Sequence, residues 1–278
     1  MRIRVFLSVA VMLLANVCFA ESPTTFAPLE SWRTAVVRGD VATLRSLYSN
    51  EPAAQVSVST QQLSADADVN FWAGLKAKRV VLKIVQSDTP QPGVHQIVFQ
   101  AEIRPAAPAR TLYVSAGQIW QQQGTVWRLV SVKRTDAAKL EQPLSVDAKI
   151  YPTDDARGEI RQALGRAAKV RKRVLVVFGA DWCYDCHVLD KAFQREDIAA
   201  VLRPSFEVVH VDVGEGNKNQ DLMNEYEVPM KRGIPAIAVL DSSGKLLYSQ
   251  KNGEFERARA LGPEDLLEFL KKWKPQAR

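Results

Sequence analysis

The chain has 278 residues, 46% of them hydrophobic and 24% charged, with 37 basic against 31 acidic side chains and a formal net charge of +6. That length admits two domains of ordinary size. The basic residues fall in short clusters, such as KVRKR (169–173) and KKWK (271–274), beside acidic stretches, a pattern of solvated helix ends that argues against nucleic acid as a partner.

Arg2 and Arg4 precede an apolar run, VFLSVAVMLLANV (5–17), which gives way to CFA and the small residue Ala20. This is the layout of a secretory signal, and the run is too short for a comfortable membrane span. Residues 1–20 are therefore expected to be a cleaved signal peptide, with no membrane span afterwards and a periplasmic or secreted protein. Cleavage removes Cys18 and leaves Cys183 and Cys186 as the remaining cysteines, in an oxidising compartment.

After an entry segment at 21–28, LESWRTAVVRGDVATLRSLYS (29–49) places Leu29, Trp32, Val36 and Val37 on one helical face. Gly39-Asp40 interrupts, and Leu44, Leu47 and Tyr48 continue in a second helix. A short helix is expected at 66–77, with Asp66 as its cap. The period then switches to that of strands at 79–86, 95–103, 111–123 and 125–134, the last two joined as a hairpin at Gln123-Gly124. Helices followed by an antiparallel meander define an α+β domain over 21–145, with helices packed on a curved antiparallel sheet. Trp72, Trp120 and Trp127 could line a pocket, but aromatics at strand spacing favour plain core. His95 stands alone, without a catalytic partner. Over 27–137 the order of elements and the strand GTVWRLV (124–130) resemble the nuclear transport factor 2-like (SnoaL-like) superfamily, whose members include ligand pockets and dimerisation modules.

DAAKLEQPLSVD (136–147) reads as a linker, and beyond it helices and strands alternate as in an α/β domain over 146–278. A helix at 153–169 is expected to be capped by Thr153 or Asp154. RVLVVFG (173–179) is a continuous apolar run, as in a strand buried on both faces. The cysteine segment then opens a helix. A strand at 205–213, a helix at 219–228, a hairpin of 235–241 and 245–251 around Ser243-Gly244, and a helix at 262–273 beginning on Pro263 complete the domain.

The segment ADWCYDCHVLD (180–190) admits two chemistries. C-x-x-C-H is the attachment run of haem c, and C-x-x-C after an apolar strand is a thiol–disulfide site. Haem also requires a second axial ligand and a helical shell, whereas this motif follows a buried strand. Zinc would have two cysteines and a neighbouring histidine without a convincing fourth ligand. No metal and no organic cofactor is expected. As a structural staple, a ring this small contributes only about 1.9 kcal/mol in the chain-entropy picture, against about 3 kcal/mol for a fifteen-residue loop. A cysteine in the first turn of a helix, by contrast, faces unpaired N–H groups and the positive dipole end, which favour the attacking thiolate.

Both VLVVFGADWCYDC and RGIPAIAVLDSSGKLLY (232–248) resemble the thioredoxin family, in the right order and about fifty residues apart. The resemblance implies a thioredoxin fold and a thiol–disulfide oxidoreductase. It makes Cys183 the nucleophile, Cys186 the resolving cysteine, Pro235 a cis proline beside them and Ile234 the residue whose backbone pairs with substrate. Trp182 would shield one side of the pair. The implied partners are protein thiols or disulfides in the export compartment and a redox partner protein. Two departures stand out: Val177 occupies the family's buried-aspartate position, and Tyr184-Asp185 separates the cysteines. Asp185 is expected to place a negative charge and no cation beside Cys183, disfavouring a strongly acidic thiol. The alternative is a ligand-binding or dimerising protein whose thioredoxin-like domain is redox-inert.

Overall fold

The computed structural model describes residues 26–152 and 154–276. The expected signal at 1–20, with Cys18, and Thr153 as an expected cap lie outside the described residues.

The N-terminal domain contains α1 (Ala27–Arg38), α2 (Val41–Leu47), β1 (Gln55–Val58), β2 (Gln61–Leu63), α3 (Ala65–Gly74), β3 (Ala77–Gln91), β4 (Val94–Pro105), β5 (Leu112–Gln123) and β6 (Val126–Arg134). Gly39 ends α1 in the left-handed region, φ 63°, a conformation that glycine adopts without a Cβ penalty. Asp40 then starts α2 by accepting a 2.9 Å hydrogen bond from the Thr43 N–H. The third helix is shifted from its expected place. Ser64, not Asp66, caps it, accepting from the Ala67 N–H at 3.1 Å, while Asp66 pairs outward with Arg45 at 2.6 Å.

The sheet order is β2-β1-β6-β5-β4-β3. The four long strands are antiparallel neighbours, and β1 joins them parallel to β6. Neither β1 nor β2 was expected, because strands of four and three residues are too short to display a period. Register shifts at Ile84/Gln86 and Ile119/Trp120 mark bulges, which bend and coil a sheet. Its concave side is filled: Trp32, Trp72, Phe99 and Trp120 are completely buried. Trp72 and Trp120 are therefore core, and only Trp127 is half-buried at a surface depression.

The C-terminal domain runs through α4 (Ala156–Val170), β7 (Arg173–Gly179), α5 (Tyr184–Gln194), α6 (Glu196–Ser205), β8 (Phe206–Asp212), α7 (Gln220–Glu225), β9 (Ala236–Leu240), β10 (Leu246–Ser249) and α8 (Pro263–Trp273). Asp155, one residue beyond Asp154, caps α4 by accepting from the Gly158 N–H at 2.8 Å. A further helix, α6, follows α5 after a break at Arg195 that the sequence pattern did not mark. The sheet order is β10-β9-β7-β8, with β7 and β8 parallel and the other pairs antiparallel. Strand alternation divides β7 between two cores. Val174, Val176 and Phe178 pack towards α4 and α7; Leu175 and Val177 pack towards α5, α6 and α8. Burial on both faces is why this strand reads as uninterrupted apolar sequence.

Within the expected linker, residues 138–142 are packed against both domains. Ala138 bridges to Tyr113 of β5, and Leu140 is buried in the core beneath α5. Glu141 accepts from Lys83 of β3 at 2.7 Å and from Lys191 of α5 at 3.3 Å. Glu264 of α8 is paired with Arg110 at 2.9 Å and Lys139 at 2.7 Å. The segment thus binds the long sheet to the helix that carries the cysteines.

Candidate functional site

The site begins where β7 ends. Gly179 leads through Ala180–Cys183 into α5, and Cys183 is the helix N-cap. Its Sγ accepts from the Cys186 N–H at 3.2 Å, a first-turn donor that is shared with the Cys183 carbonyl oxygen at 3.1 Å. Cys183 and Cys186 form a disulfide with Cα atoms 5.2 Å apart. Both are largely covered, Cys183 at 5% exposure and Cys186 at 2%.

Across from them lies the loop before β9. Cys183 Sγ is 3.7 Å from the Ile234 carbonyl oxygen, and the Ile234–Pro235 peptide is cis. Gly233 enters this loop at φ 108°, where a side chain would be strained and would meet Glu256. The loop is held by a residue that sequence reasoning missed. Gln250, completely buried, accepts from the Ile237 N–H at 3.2 Å and donates to the Pro235 carbonyl at 3.3 Å. A glutamine at the end of a strand is a weak signal, visible only once the strand pairing is known.

Trp182 stands apart from this packing, 53% exposed, with its indole N–H donating to the Gly214 carbonyl at 3.2 Å. The residues brought together around the pair are thus Cys183, Cys186, Ile234 and Pro235, with Trp182 on the open rim. His187 is buried in α5, its Nε2 2.6 Å from the Asp181 carbonyl oxygen. Asp181 Oδ1 accepts from the N–H groups of Ile150 at 2.9 Å and Tyr151 at 3.1 Å, while its other oxygen lies 3.2 Å from Lys149. Partial burial works against its charge, yet these donors hold its carboxyl below the usual range. Through Asp181, the segment before α4 is fastened over the cysteines, and Tyr151 packs directly on them.

The expectation of an uncompensated carboxylate between the cysteines is corrected. Asp185 Oδ1 accepts from the Arg259 backbone N–H at 2.8 Å, and its carboxylate is clasped by the same residue's guanidinium at 2.5–3.0 Å. Arg259 also lies over the Tyr184 ring, 4.7 Å from its centroid. A cation therefore does stand beside the first turn of α5, brought from a short 3-10 turn at Ala258–Ala260 that lies 74 residues away in sequence. No motif in the sequence links the two.

A cavity of about 780 Å³ opens elsewhere, between the ends of α1 and α3 and the β4–β5 loop, reaching Lys139 and Glu264. It contains none of the residues around the disulfide.

Residues 155–242 match a family described as thioredoxin-like. The C-terminal domain of this chain belongs to the thioredoxin-like family. The chain is 28% identical over 150 residues to the thiol:disulfide interchange protein DsbD 2 of Pseudomonas aeruginosa, a match covering 53% of this chain and 23% of that protein. It therefore spans about a quarter of that relative's length. Among solved structures, a disulphide isomerase from Xylella fastidiosa is 35% identical, covering 47% of this chain and 98% of the other with a TM-score of 0.42. An NTF-2-like protein of unknown function from Shewanella oneidensis is 10% identical and covers 40% and 94%, with a TM-score of 0.35. Among the described residues, no helix is long and apolar enough to cross a membrane.

Proposed function

We propose that this chain is an exported thiol–disulfide oxidoreductase acting on protein disulfides through Cys183 and Cys186. Residues 1–20 serve as the signal, 21–145 as an accessory domain with its linker, and 146–278 as the catalytic domain. The observation that carries the reading is the disulfide at the start of α5 lying beside the Ile234–Pro235 loop. The thioredoxin-like family match and the likeness to a thiol:disulfide interchange protein support it.

In the reduced enzyme the Cys183 thiolate attacks a sulfur of the partner's disulfide. One sulfur–sulfur bond forms, the partner's bond breaks, and its other cysteine leaves as a thiolate. Unpaired N–H groups in the first turn of α5 favour the Cys183 anion. Cys186 then attacks Cys183 Sγ, closing the intramolecular disulfide and releasing the partner reduced. The reverse sequence oxidises a dithiol. Ile234 presents a backbone edge to an extended partner, Pro235 shapes that edge, and Trp182 covers the open side.

Removing the second sulfur should halt the cycle at the mixed disulfide. A Cys186→Ala protein expressed with its N-terminal segment is expected to accumulate covalent adducts that reducing agent dissolves, and Cys183→Ala few. Mass spectrometry of the adducts then identifies the partners and their compartment. Equal trapping by both variants would reverse or abolish the assigned roles. Trapping by neither would favour a redox-inert binding domain.

A further inference from the structure

A buried polar atom beside the disulfide has no partner among the described residues. Among the described residues the Tyr151 hydroxyl, sealed from solvent, has no hydrogen-bond partner, and the residue is only 6% exposed. Such orphans are uncommon in folded proteins and call for a specific cause. Tyr151 forms one apolar cluster with Cys183 and Cys186. Its hydroxyl and the resolving sulfur both border Gly179. A Cβ on that glycine would run into the Tyr151 hydroxyl and stand 2.8 Å from Cys186 Sγ. The bare backbone of Gly179 is what lets the oxygen and the sulfur share that space. Beneath the pair, β7 presents Val177 to an apolar cluster, so no polar side chain of that strand reaches Cys186.

We propose that the Tyr151 hydroxyl is a hydrogen-bond donor to Cys186 Sγ once the disulfide opens, stabilising the thiolate that resolves the mixed disulfide. The inference rests on the exchange role assigned to the two cysteines. In the closed disulfide the sulfur is a poor acceptor and the hydroxyl is idle. In the mixed disulfide Cys186 must become an anion while almost wholly removed from water, which raises the pKa of a thiol. A neutral donor offsets part of that cost. Tyr151 keeps its proton, because burial first, and then the charges of Asp190, Asp181 and Asp212, push its own ionisation well up. It therefore acts as a donor and not as a base. The proton leaving Cys186 goes to solvent, the Cys186 sulfur bonds to Cys183, and the partner departs as a thiolate. The other titratable group against Tyr151 is His210 of β8, its ring packed edge-on at 5.4 Å and its Nε2 3.8 Å from Asp190.

Glutathione provides a partner of defined size. The full chain carrying Cys18→Ser has Cys183 and Cys186 as its only thiols. Reduced protein is mixed with oxidised glutathione, and release of glutathione from the mixed disulfide is followed from pH 6 to 10. Tyr151→Phe is expected to move the midpoint of this resolution step up by about one unit and to slow it about tenfold at pH 7, in line with loss of one hydrogen bond to a charged group. In a Cys186→Ala background, the same substitution should leave the attack of Cys183 on oxidised glutathione unchanged, which a general loosening of the site would not. An unchanged or lowered midpoint in Tyr151→Phe, with normal turnover in the parent, overturns the inference and leaves the exchange reading standing. A parent that never forms or never releases the glutathione adduct removes both.

Discussion

Each domain ties an aspartate to an arginine, and the two pairs sit in opposite relation to water. In the N-terminal domain Arg134 Nε donates to Asp68 Oδ1 at 2.5 Å with the side chains 2% and 0% exposed. Tyr48 donates to the other carboxylate oxygen at 2.6 Å, and the guanidinium lies 3.4 Å from the centroid of the Phe71 ring. In the C-terminal domain Arg259 clasps Asp185 from a side chain that is 55% exposed, against 10% for the aspartate. Removing one member of a pair sealed from water is costly, because the remaining charge cannot be left alone there. A pair with one foot in solvent is individually weak. The first joins α3 to the sheet; the second places a cation beside the first turn of α5.

Breaking the buried pair should have the largest effect. Asp68→Ala leaves the Arg134 charge and the Tyr48 hydroxyl without their shared acceptor, and is expected to cost about 3–5 kcal/mol. Urea unfolding followed by tryptophan fluorescence suits the test, since Trp32, Trp72 and Trp120 lie in this core. Replacing both partners, Asp68→Leu with Arg134→Met, should recover much of the loss. A single variant within about 1 kcal/mol of the parent would contradict full burial of the pair.

The next effect concerns the loop opposite the cysteines. Gln250→Leu keeps the volume but leaves the Ile237 N–H and the Pro235 carbonyl without a side-chain partner. An unsatisfied buried donor costs about 1–3 kcal/mol. The loss should fall on the Ile234–Pro235 loop, so the Cys186→Ala trap built on Gln250→Leu should collect fewer adducts. Undiminished trapping and unchanged stability would show that the buried glutamine does not hold the loop.

These residues separate what the sequence revealed from what it hid. The strand RVLVVFG, the cysteine segment and the Gly-Ile-Pro loop were legible because their information is contiguous: a run, a spacing, a turn. The long antiparallel strands were legible through their composition. Asp68 and Arg134 lie 66 residues apart, Asp185 and Arg259 lie 74 apart, and Gln250 lies 13 from its Ile237 partner. Each looks locally like an ordinary polar residue. Its role follows only from the pairing of elements, which no local period encodes. Tyr151 was hidden for the same reason, in a stretch without helix or strand. The parallel docking of β1 on β6 and the cap at Ser64 were missed because short strands and neighbouring Ser and Asp caps leave several solutions open.

A smaller effect than either substitution is expected from pH. Burial pushes the His210 imidazole below its usual pKa, and Asp190 only partly opposes this. The unfolded chain, with an ordinary histidine, therefore takes up the proton first as pH falls. The stability associated with keeping His210 neutral is complete above about pH 6.5 and is lost as pH drops through the depressed value. Burial lowers His95 in the same direction. The urea midpoint should fall between pH 7.5 and 5.5, and His210→Gln should flatten that fall. An equal slope in the variant would mean that His210 titrates normally in the folded protein.

The solvent-facing pair should give the smallest effect and the one with a readable sign. Arg259→Ala leaves Asp185 charged two residues from Cys183, with only a backbone N–H to hold it. An added negative field disfavours the Cys183 thiolate. Because the guanidinium is more than half exposed, screening limits the change to about a twofold to threefold slowing of alkylation at pH 7. Asp185→Asn does the opposite: the guanidinium is left uncompensated beside the first turn of α5, and alkylation should quicken by a similar factor. Iodoacetamide kinetics on reduced Cys183, in a Cys18→Ser, Cys186→Ala background, measure both. Opposed shifts would mean that the pair acts by cancelling its own charge near the nucleophile. Two shifts of the same sign would mean that it acts by holding the turn in place, and two null results that the field of Asp185 does not reach Cys183.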